Sequence, residues 1–295
     1  MSTGLRSGFA AVIGRPNVGK STLINHLVGR KIAIVSNKPQ TTRNRILGVV
    51  TGRGYQLVLI DTPGIHKPHH LLGESMVRTA VGALDETEAI LMVVEAQEAP
   101  GPGDRYVASY LQQAPQAFCV LNKIDLIEPA EVPAAAEAYA KLAPFQAVIP
   151  VSAVGGQGLD DLLDAVREVL PEGPEYFPAG MTSDQPEQFI VAELVREKLI
   201  GLTEQEVPHS LATEIQEMIK RPGGMLYIRC AIYVERASQR GIVLGAGGSK
   251  LKEAGLQART ELERLLGERI YLDLWVKVKP DWRNRQRDLR ELGYR

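Results

Sequence analysis

The sequence predicts an α/β domain built on a mostly parallel six-stranded sheet with helices on both faces, followed by a smaller α+β domain. Three observations lead there. Five short apolar runs recur before residue 152, with helical stretches between most of them; runs that are apolar on both faces are buried parallel strands. The segment "PEGPEYFPAGMTSDQPEQ" (171–188) holds four prolines and no periodicity, which is the composition of a linker. Beyond it the order of elements changes, so a second layer architecture begins. A chain of 295 residues accommodates both domains. Their expected bounds are 1–172, a linker at 173–186, and 187–295.

The strands of the first domain are "FAAVIG" (9–14), "QLVLI" (56–60), "AILMVV" (89–94), "AFCVL" (117–121) and "AVIPV" (147–151). "ILGVVTGRGYQLVLI" (46–60) reads as a hairpin turning at Gly52–Gly54, which adds one antiparallel edge strand. Helices are expected at 20–29, 71–86, 103–113, 131–142 and 158–170. In the second domain a helix at 187–201 precedes strands at 206–216 and 225–235. A glycine loop, a helix at 249–266, a strand at 270–279 and a basic helix at 281–292 follow. The 249–266 stretch is amphipathic, with Leu251, Ala254, Ala258, Leu262, Leu265 and Leu266 on one face.

Composition is that of an ordinary globular protein, and the longest apolar runs fall far short of a membrane span. The N-terminal residues show no signal-peptide pattern. Cys119 and Cys230 each sit in a strand-like apolar run and read as small hydrophobes, so a cytoplasmic location is expected. Net charge is −1 but uneven: residues 221–295 carry 16 Lys and Arg against nine Asp and Glu, a balance of +7, which leaves the rest near −8. A basic C-terminal third suggests a polyanionic partner.

"GRPNVGKS" fits G-x-x-x-x-G-K-[ST] between a strand and a helix, the context that motif needs. Gly14 and Gly19 let backbone N–H groups turn inward, and with the helix start they form an anion cradle. Lys20 neutralises β- and γ-phosphates and the Ser21 hydroxyl suits Mg²⁺. The whole loop, Gly14, Arg15, Pro16, Asn17, Val18, Gly19, Lys20, Ser21 and Thr22, is expected to contact nucleotide. "DTPG" (Asp61, Thr62, Pro63, Gly64) ends a strand. Asp61 is placed to reach Mg²⁺ through a water, and the Gly64 N–H to sense the γ-phosphate. "NKID" (122–125) ends another strand. The Asp125 carboxylate accepts from guanine N1–H and N2–H₂, a pair adenine lacks, while Asn122 and Lys123 brace the base and the loop. "SA" (Ser152, Ala153) offers a backbone N–H to guanine O6. In this order, each at a strand's C-terminal end, the motifs make a guanine-nucleotide site.

Here the sequence resembles the P-loop GTPases of the translation-factor-like class. "NKPQTTRNRI" (37–46) then corresponds to switch I and 64–75 to switch II. The resemblance implies that Thr42, or alternatively Thr41, closes over Mg²⁺ when the γ-phosphate is present. Where Ras-like enzymes carry a water-orienting glutamine, this chain has Ile65. Bacterial GTPases with that change and a similar "GRPNVGKS" loop use the loop asparagine, here Asn17, to hold K⁺ beside the β/γ-phosphates. The cation supplies what an arginine finger supplies elsewhere. On this reading Lys20, Thr42, Asn17 and Gly64 serve catalysis, with a slow basal rate.

A second glycine loop, "GIVLGAGGSKLKEAG" (241–255), lacks the phosphate-loop spacing. It fits G-x-x-G at Gly245, Ala246, Gly247 and Gly248, before the amphipathic helix. This is the KH pattern, in which the loop lies against a nucleic-acid backbone and about four nucleotides are clamped. Bases are expected in a groove between that helix and the strand "LYIRCAIYVER" (226–236). The expected RNA contacts are Arg236, Arg240, the G-x-x-G residues, Ser249, Lys250, Lys252 and Arg259.

Together the two domains resemble the Era family, bacterial GTPases with a C-terminal type II KH domain. "GRPNVGKSTLIN", "KPQTTR", "DTPGIHKP", "NKID", "VPHS" and "YVERASQRGIVLGAGGSKLKEAG" match its pattern in order. The resemblance implies GTP/GDP switching with Mg²⁺, and binding near the 3′ end of 16S rRNA in assembly of the 30S subunit. It further implies a monomer with peripheral contact at the inner membrane. The family's loop reads G-K-G-G where this chain has Ala246, so a phosphate contact is missing from the tip; Lys250, Lys252 and Arg259 are placed to compensate. "DWRNRQRDLRELGYR" (281–295) reads as a terminal helix with basic faces, or equally as a solvated one. The competing reading is a signalling GTPase whose C-terminal domain binds a protein or membrane surface. The histidine-rich His66–His70 stretch falls in switch II and reads as a polar loop in preference to a metal site.

Overall fold

The computed structural model describes residues 4–112 and 116–294. The chain divides into two compact units. The first takes residues up to 33, 42–69 and 73–184; the second takes 34–41, 70–72 and 185 onward.

In the first unit, strands β1 (Arg6–Ile13), β2 (Ile46–Gly52), β3 (Tyr55–Asp61), β4 (Ala89–Glu95), β5 (Ala117–Asn122) and β6 (Val148–Pro150) lie in the order β2-β3-β1-β4-β5-β6. All neighbours are parallel except β2, which runs antiparallel to β3 through the turn at Gly54 (φ 81°). The six-stranded expectation therefore holds. Helices α1 (Lys20–Val28), α2 (Leu71–Gly82), α3 (Pro102–Ala108) and α4 (Val132–Ala140) lie between successive strands, and α5 (Leu159–Val169) follows the last. Expected helices at 71–86 and 103–113 end early, tightening into 3-10 turns at Ala83–Glu86 and Ser109–Leu111. Core side chains from β1, β4 and β5 (Ala11, Ile13, Met92, Val94, Cys119, Leu121) are fully buried. Strand β1 lies between β3 and β4, so the chain departs to opposite sides of it, and the loop after β1 opens at the switch point where open α/β sheets bind ligands.

The proline-rich segment is less free than its composition suggests. Gly173 N–H donates to Leu5 O (2.9 Å), and Gln56 Oε1 accepts from Tyr176 and Phe177 N–H (2.7 and 2.9 Å). Ser183 bridges Gly48. Residues up to 184 thus pack with the first unit, held by polar bonds to its backbone and to the Gln56 side chain that leave no mark on hydrophobic periodicity.

In the second unit, α6 (Glu187–Leu202) and α7 (Val207–Ser210) precede β7 (Ala212–Lys220) and β8 (Leu226–Val234). Helices α8 (Ala237–Leu244) and α9 (Ser249–Leu266) precede β9 (Ile270–Val278) and α10 (Gln286–Glu291). The sheet order is β7-β8-β9, with β7 antiparallel and β9 parallel to β8. Three expectations are corrected. The strand read at 206–216 begins at 212, because Pro208 fits a helix's first turn and Val207–Ser210 coil. Residues 241–244 belong to α8, not to a loop; Gln239 Oε1 accepts from Glu235 and Arg236 N–H (2.9 and 3.0 Å) and caps its start. The terminal helix shrinks to six residues after a 3-10 turn at Trp282–Asn284. That tail is not merely solvated. Trp282 is fully buried, donates Nε1–H to Ser210 O (3.0 Å) and stacks on Tyr294 (5.7 Å). The unit's core joins α6, β8 and α9 through Val195, Leu199, Ile232, Ala254 and Ala258, and Ile34 of the 34–41 segment packs into it.

Candidate nucleotide site and nucleic-acid groove

The phosphate loop leaves β1 at Gly14, whose φ of 151° and approach to the Val93 carbonyl leave no room for a Cβ. Gly19 (φ 97°) is pressed against the Asn122 amide in the same way. Asn17 also takes a left-handed backbone, φ 68°. Gly64 comes so close to the loop that a Cβ there would lie 2.7 Å from Pro16 N, and Ile65 N–H donates to Gly14 O (3.0 Å). "DTPG" is therefore seated directly on the phosphate loop.

Three oxygens converge beside it. Ser21 Oγ lies 2.8 Å from Thr42 Oγ1 and 2.7 Å from Asp61 Oδ2, and Thr42 Oγ1 lies 3.4 Å from the same carboxylate oxygen. Asp61 is fully buried and its Oδ1 has no hydrogen-bond partner. Burial pushes its carboxyl up to about 6, against the Ser21 hydrogen bond, the Lys20 charge and the Thr42 hydrogen bond. Burial likewise pushes the Lys20 ammonium down to about 8, against the Asp61 charge. Lys20 Nζ donates to Gly14 O (3.3 Å) and Arg15 O (2.8 Å) within its own loop. A hard-oxygen cluster with one buried, unsatisfied carboxylate oxygen fits Mg²⁺. The hydroxyl at this cluster is that of Thr42. Thr41 instead donates to Lys38 O (2.7 Å), within the segment that packs with the second unit.

The guanine motifs are tied together by one side chain. Buried Asn122 donates Nδ2–H to Val18 O (2.8 Å) and accepts at Oδ1 from Ala153 N–H (2.9 Å), so it braces two loops and stands back from any base. The Ala153 N–H expected for guanine O6 is thus already engaged, and Ser152 N–H donates to Gln157 O (2.9 Å); a guanine oxygen would have to share the Ala153 donor. Asp125 is exposed at the start of a short 3-10 turn, open to a base. Thr62 is turned away: it is fully buried and its hydroxyl donates to Val12 O (2.7 Å).

Sequence reasoning missed the carboxylates around Arg15. Its Nε donates to Asp104 Oδ1 (2.7 Å) and its Nη2 to Glu98 Oε2 (3.1 Å). Glu95 lies 3.8 Å from the same guanidinium and also pairs with Lys123. Arg15 is thereby directed to α3 rather than to phosphate. No motif marks Asp104; only the β4–β5 crossover brings it there.

In the second unit, Gly245 (φ 72°), Gly247 (φ 57°) and Gly248 (φ 80°) hold the turn between α8 and α9. Ala246 is exposed at its tip. A groove of about 450 Å³ runs from Gly248 between α9 and β9, lined by Leu251, Lys252, Leu256, Arg259, Tyr271 and Leu274. Its strand wall is β9, not the expected 226–236, because β8 is the central strand and only β9 offers an edge beside α9. Lys252 and Arg259 line it. Lys250 does not: its stem lies over Gly245, where a Cβ would come within 2.8 Å of Lys250 Cγ. Arg236 and Arg240, at α8, also lie outside the lining.

Comparison with known proteins agrees with both halves. A family model described as 50S ribosome-binding GTPase matches residues 9–123, and a KH domain model matches 206–283. The chain is similar to the crystal structure of Era in complex with MgGDPNP and nucleotides 1506–1542 of 16S ribosomal RNA: 41% identity, TM-score 0.95, covering 98% of this chain and 99% of that one. It is similar also to a variant of Aquifex aeolicus Era bound to GDP and AlF₄⁻, at 40% identity and TM-score 0.95, with the same coverage. With a phosphate loop, a convergent oxygen cluster and a G-x-x-G groove in one chain, and likeness along its whole length, this protein belongs to the Era family of GTPases.

Proposed function

We propose that this GTPase acts as a switch in 30S subunit assembly and 16S rRNA processing, working in the cytoplasm and binding 16S rRNA near its 3′ end through the groove between α9 and β9. The observation that carries this reading is the presence, in one chain, of a Ser21–Thr42–Asp61 oxygen cluster beside buried Lys20 and of a groove flanked by Lys252 and Arg259. Crosslinking to cellular RNA with site mapping, in GTP-analogue and GDP states, tests it. Recovery of the 3′ end of 16S rRNA is expected; recovery of no rRNA overturns it.

Within the nucleotide site, Mg²⁺ would be held by Ser21, Thr42 and Asp61, and when bound with nucleotide it offsets charge on the β- and γ-phosphates. Lys20 donates to the same phosphates, and the loop N–H groups from Gly14 to Ser21 cradle them. The Gly64 N–H, seated on the loop at Pro16, registers the γ-phosphate and carries its presence into the segment after Ile65. Ile65 is buried at 1% exposure, so no side chain at that position orients the attacking water. This supports a role for Asn17 in holding K⁺, which would offset transition-state charge as an arginine finger does. Hydrolysis should be faster in KCl than in NaCl; equal rates sink that role for Asn17.

A further inference from the structure

The sheet of the second unit has an outer face that the groove reaches only at Tyr271. Along β9, Leu272, Leu274 and Val276 pack into the core, so alternation puts Tyr271, Asp273 and Trp275 on the opposite face. Tyr271 and Trp275 are 54% and 55% exposed, unusual for large aromatics on a sheet. Both are held in place. The Arg221 guanidinium sits 3.7 Å from the centroid of Tyr227, and Tyr227 stacks on Tyr271 at 5.8 Å with 16° between planes. Tyr271 is therefore the outermost layer of an existing stack. Asp273 pins the neighbours: it accepts from Tyr227 OH (2.7 Å), Arg229 Nε (3.2 Å) and Trp275 Nε1 (2.8 Å). Trp275 lies beside Ala231 of β8, whose small side chain leaves the indole room.

We propose that Tyr271 and Trp275 form a base-stacking platform for single-stranded RNA on the outer face of this sheet, continuing the path of the groove around the β9 edge. Continuity chooses the occupant. Tyr271 belongs both to the groove lining and to the stack, and Lys252 and Arg259 on the groove side supply the phosphate contacts that a strand turning this edge needs. Preordered, half-exposed rings take bases of any identity by their π-faces. The proposal rests on the groove binding RNA.

The full-length protein with GDPNP and Mg²⁺ is titrated with single-stranded RNAs from the 16S 3′ end, one of roughly five nucleotides, enough to fill a KH groove of about four, and one about twice as long. The chain has two tryptophans and Trp282 is buried, so stacking on Trp275 reads out as fluorescence quenching. The long RNA should quench and the short one should not; Trp275→Phe should remove most of the signal. Trp275→Ala should weaken the long RNA roughly 5- to 150-fold and leave the short one unchanged. Gly247→Asp should weaken both. Equal affinities for the two lengths in Trp275→Ala and wild type, with Gly247→Asp still disabling, overturns the platform alone. No RNA binding by the wild type overturns the platform and the groove reading together. Quenching by RNA-free ribosomal proteins, but not by RNA, assigns the face to a protein and overturns the proposal.

Discussion

Asp61 is fully buried and Lys20 nearly so, and both hold the charge that their burial opposes, a cost that ligand binding offsets. The pH dependence follows from the direction of each shift. The Asp61 carboxyl titrates at about 6 when folded, above its ordinary value of 3.8. Well below pH 3.8 both folded and unfolded chains hold the proton and nothing is lost. As pH rises toward 6 the folded state holds more protons, so this group's contribution falls, by about 3 kcal/mol once fully ionised. Asp61→Asn should therefore raise the urea midpoint of metal- and nucleotide-free protein more at pH 7 than at pH 4.5, while abolishing Mg²⁺-dependent nucleotide affinity. A variant no more stable than wild type at pH 7 contradicts the buried charge. Asp125 makes the opposite case, an exposed carboxylate reserved for the base. Asp125→Asn should weaken GTP and strengthen xanthosine triphosphate, measured by competition; unchanged GTP affinity would remove its assigned role.

At the scale of elements, the turn between α8 and α9 shows how a missing charge leaves the backbone intact. Ala246 has an ordinary φ while the glycines beside it carry the left-handed angles, so a longer side chain fits at 246 without strain. Ala246→Lys should tighten single-stranded RNA and steepen the dependence of log K on log salt by about 0.7, one added phosphate contact; an unchanged slope would mean the tip faces no phosphate. The C-terminal tail is held by Trp282. Trp282→Ala should destabilise the second unit by about 3–5 kcal/mol, read by denaturant unfolding, while guanine-nucleotide affinity of the first unit persists.

For the molecule as a whole, the segment 34–41, which overlaps the expected switch I at 37–41, belongs with the second unit: Val35 N–H donates to Glu197 Oε1 (3.0 Å), and buried Arg196 donates to the Thr41 carbonyl while pairing with Glu193. A chain cut after residue 184 should keep guanine-nucleotide binding yet expose this segment, so thermolysin should cut at the Ile34–Val35 bond faster than in the full-length protein. Equal cleavage rates would show that α6 does not hold it. The same scale carries the charge asymmetry, since the +7 of residues 221–295 predicts salt-dependent binding of RNA.

The sequence by itself determined what is local. "GRPNVGKS", "DTPG", "NKID" and G-x-x-G each need a fixed order of residue types around one turn, and the sheet, its hairpin and α9 followed from periodicity. Tertiary structure decided what depends on strand order. It brought Asp104 to Arg15, engaged the Ala153 N–H through Asn122, selected Thr42 over Thr41 at the oxygen cluster, and made β9 rather than β8 the wall of the groove. Those partners lie tens of residues apart or more. Their contacts are set by which strands are neighbours and which lies at the edge, and no short stretch of sequence carries that information.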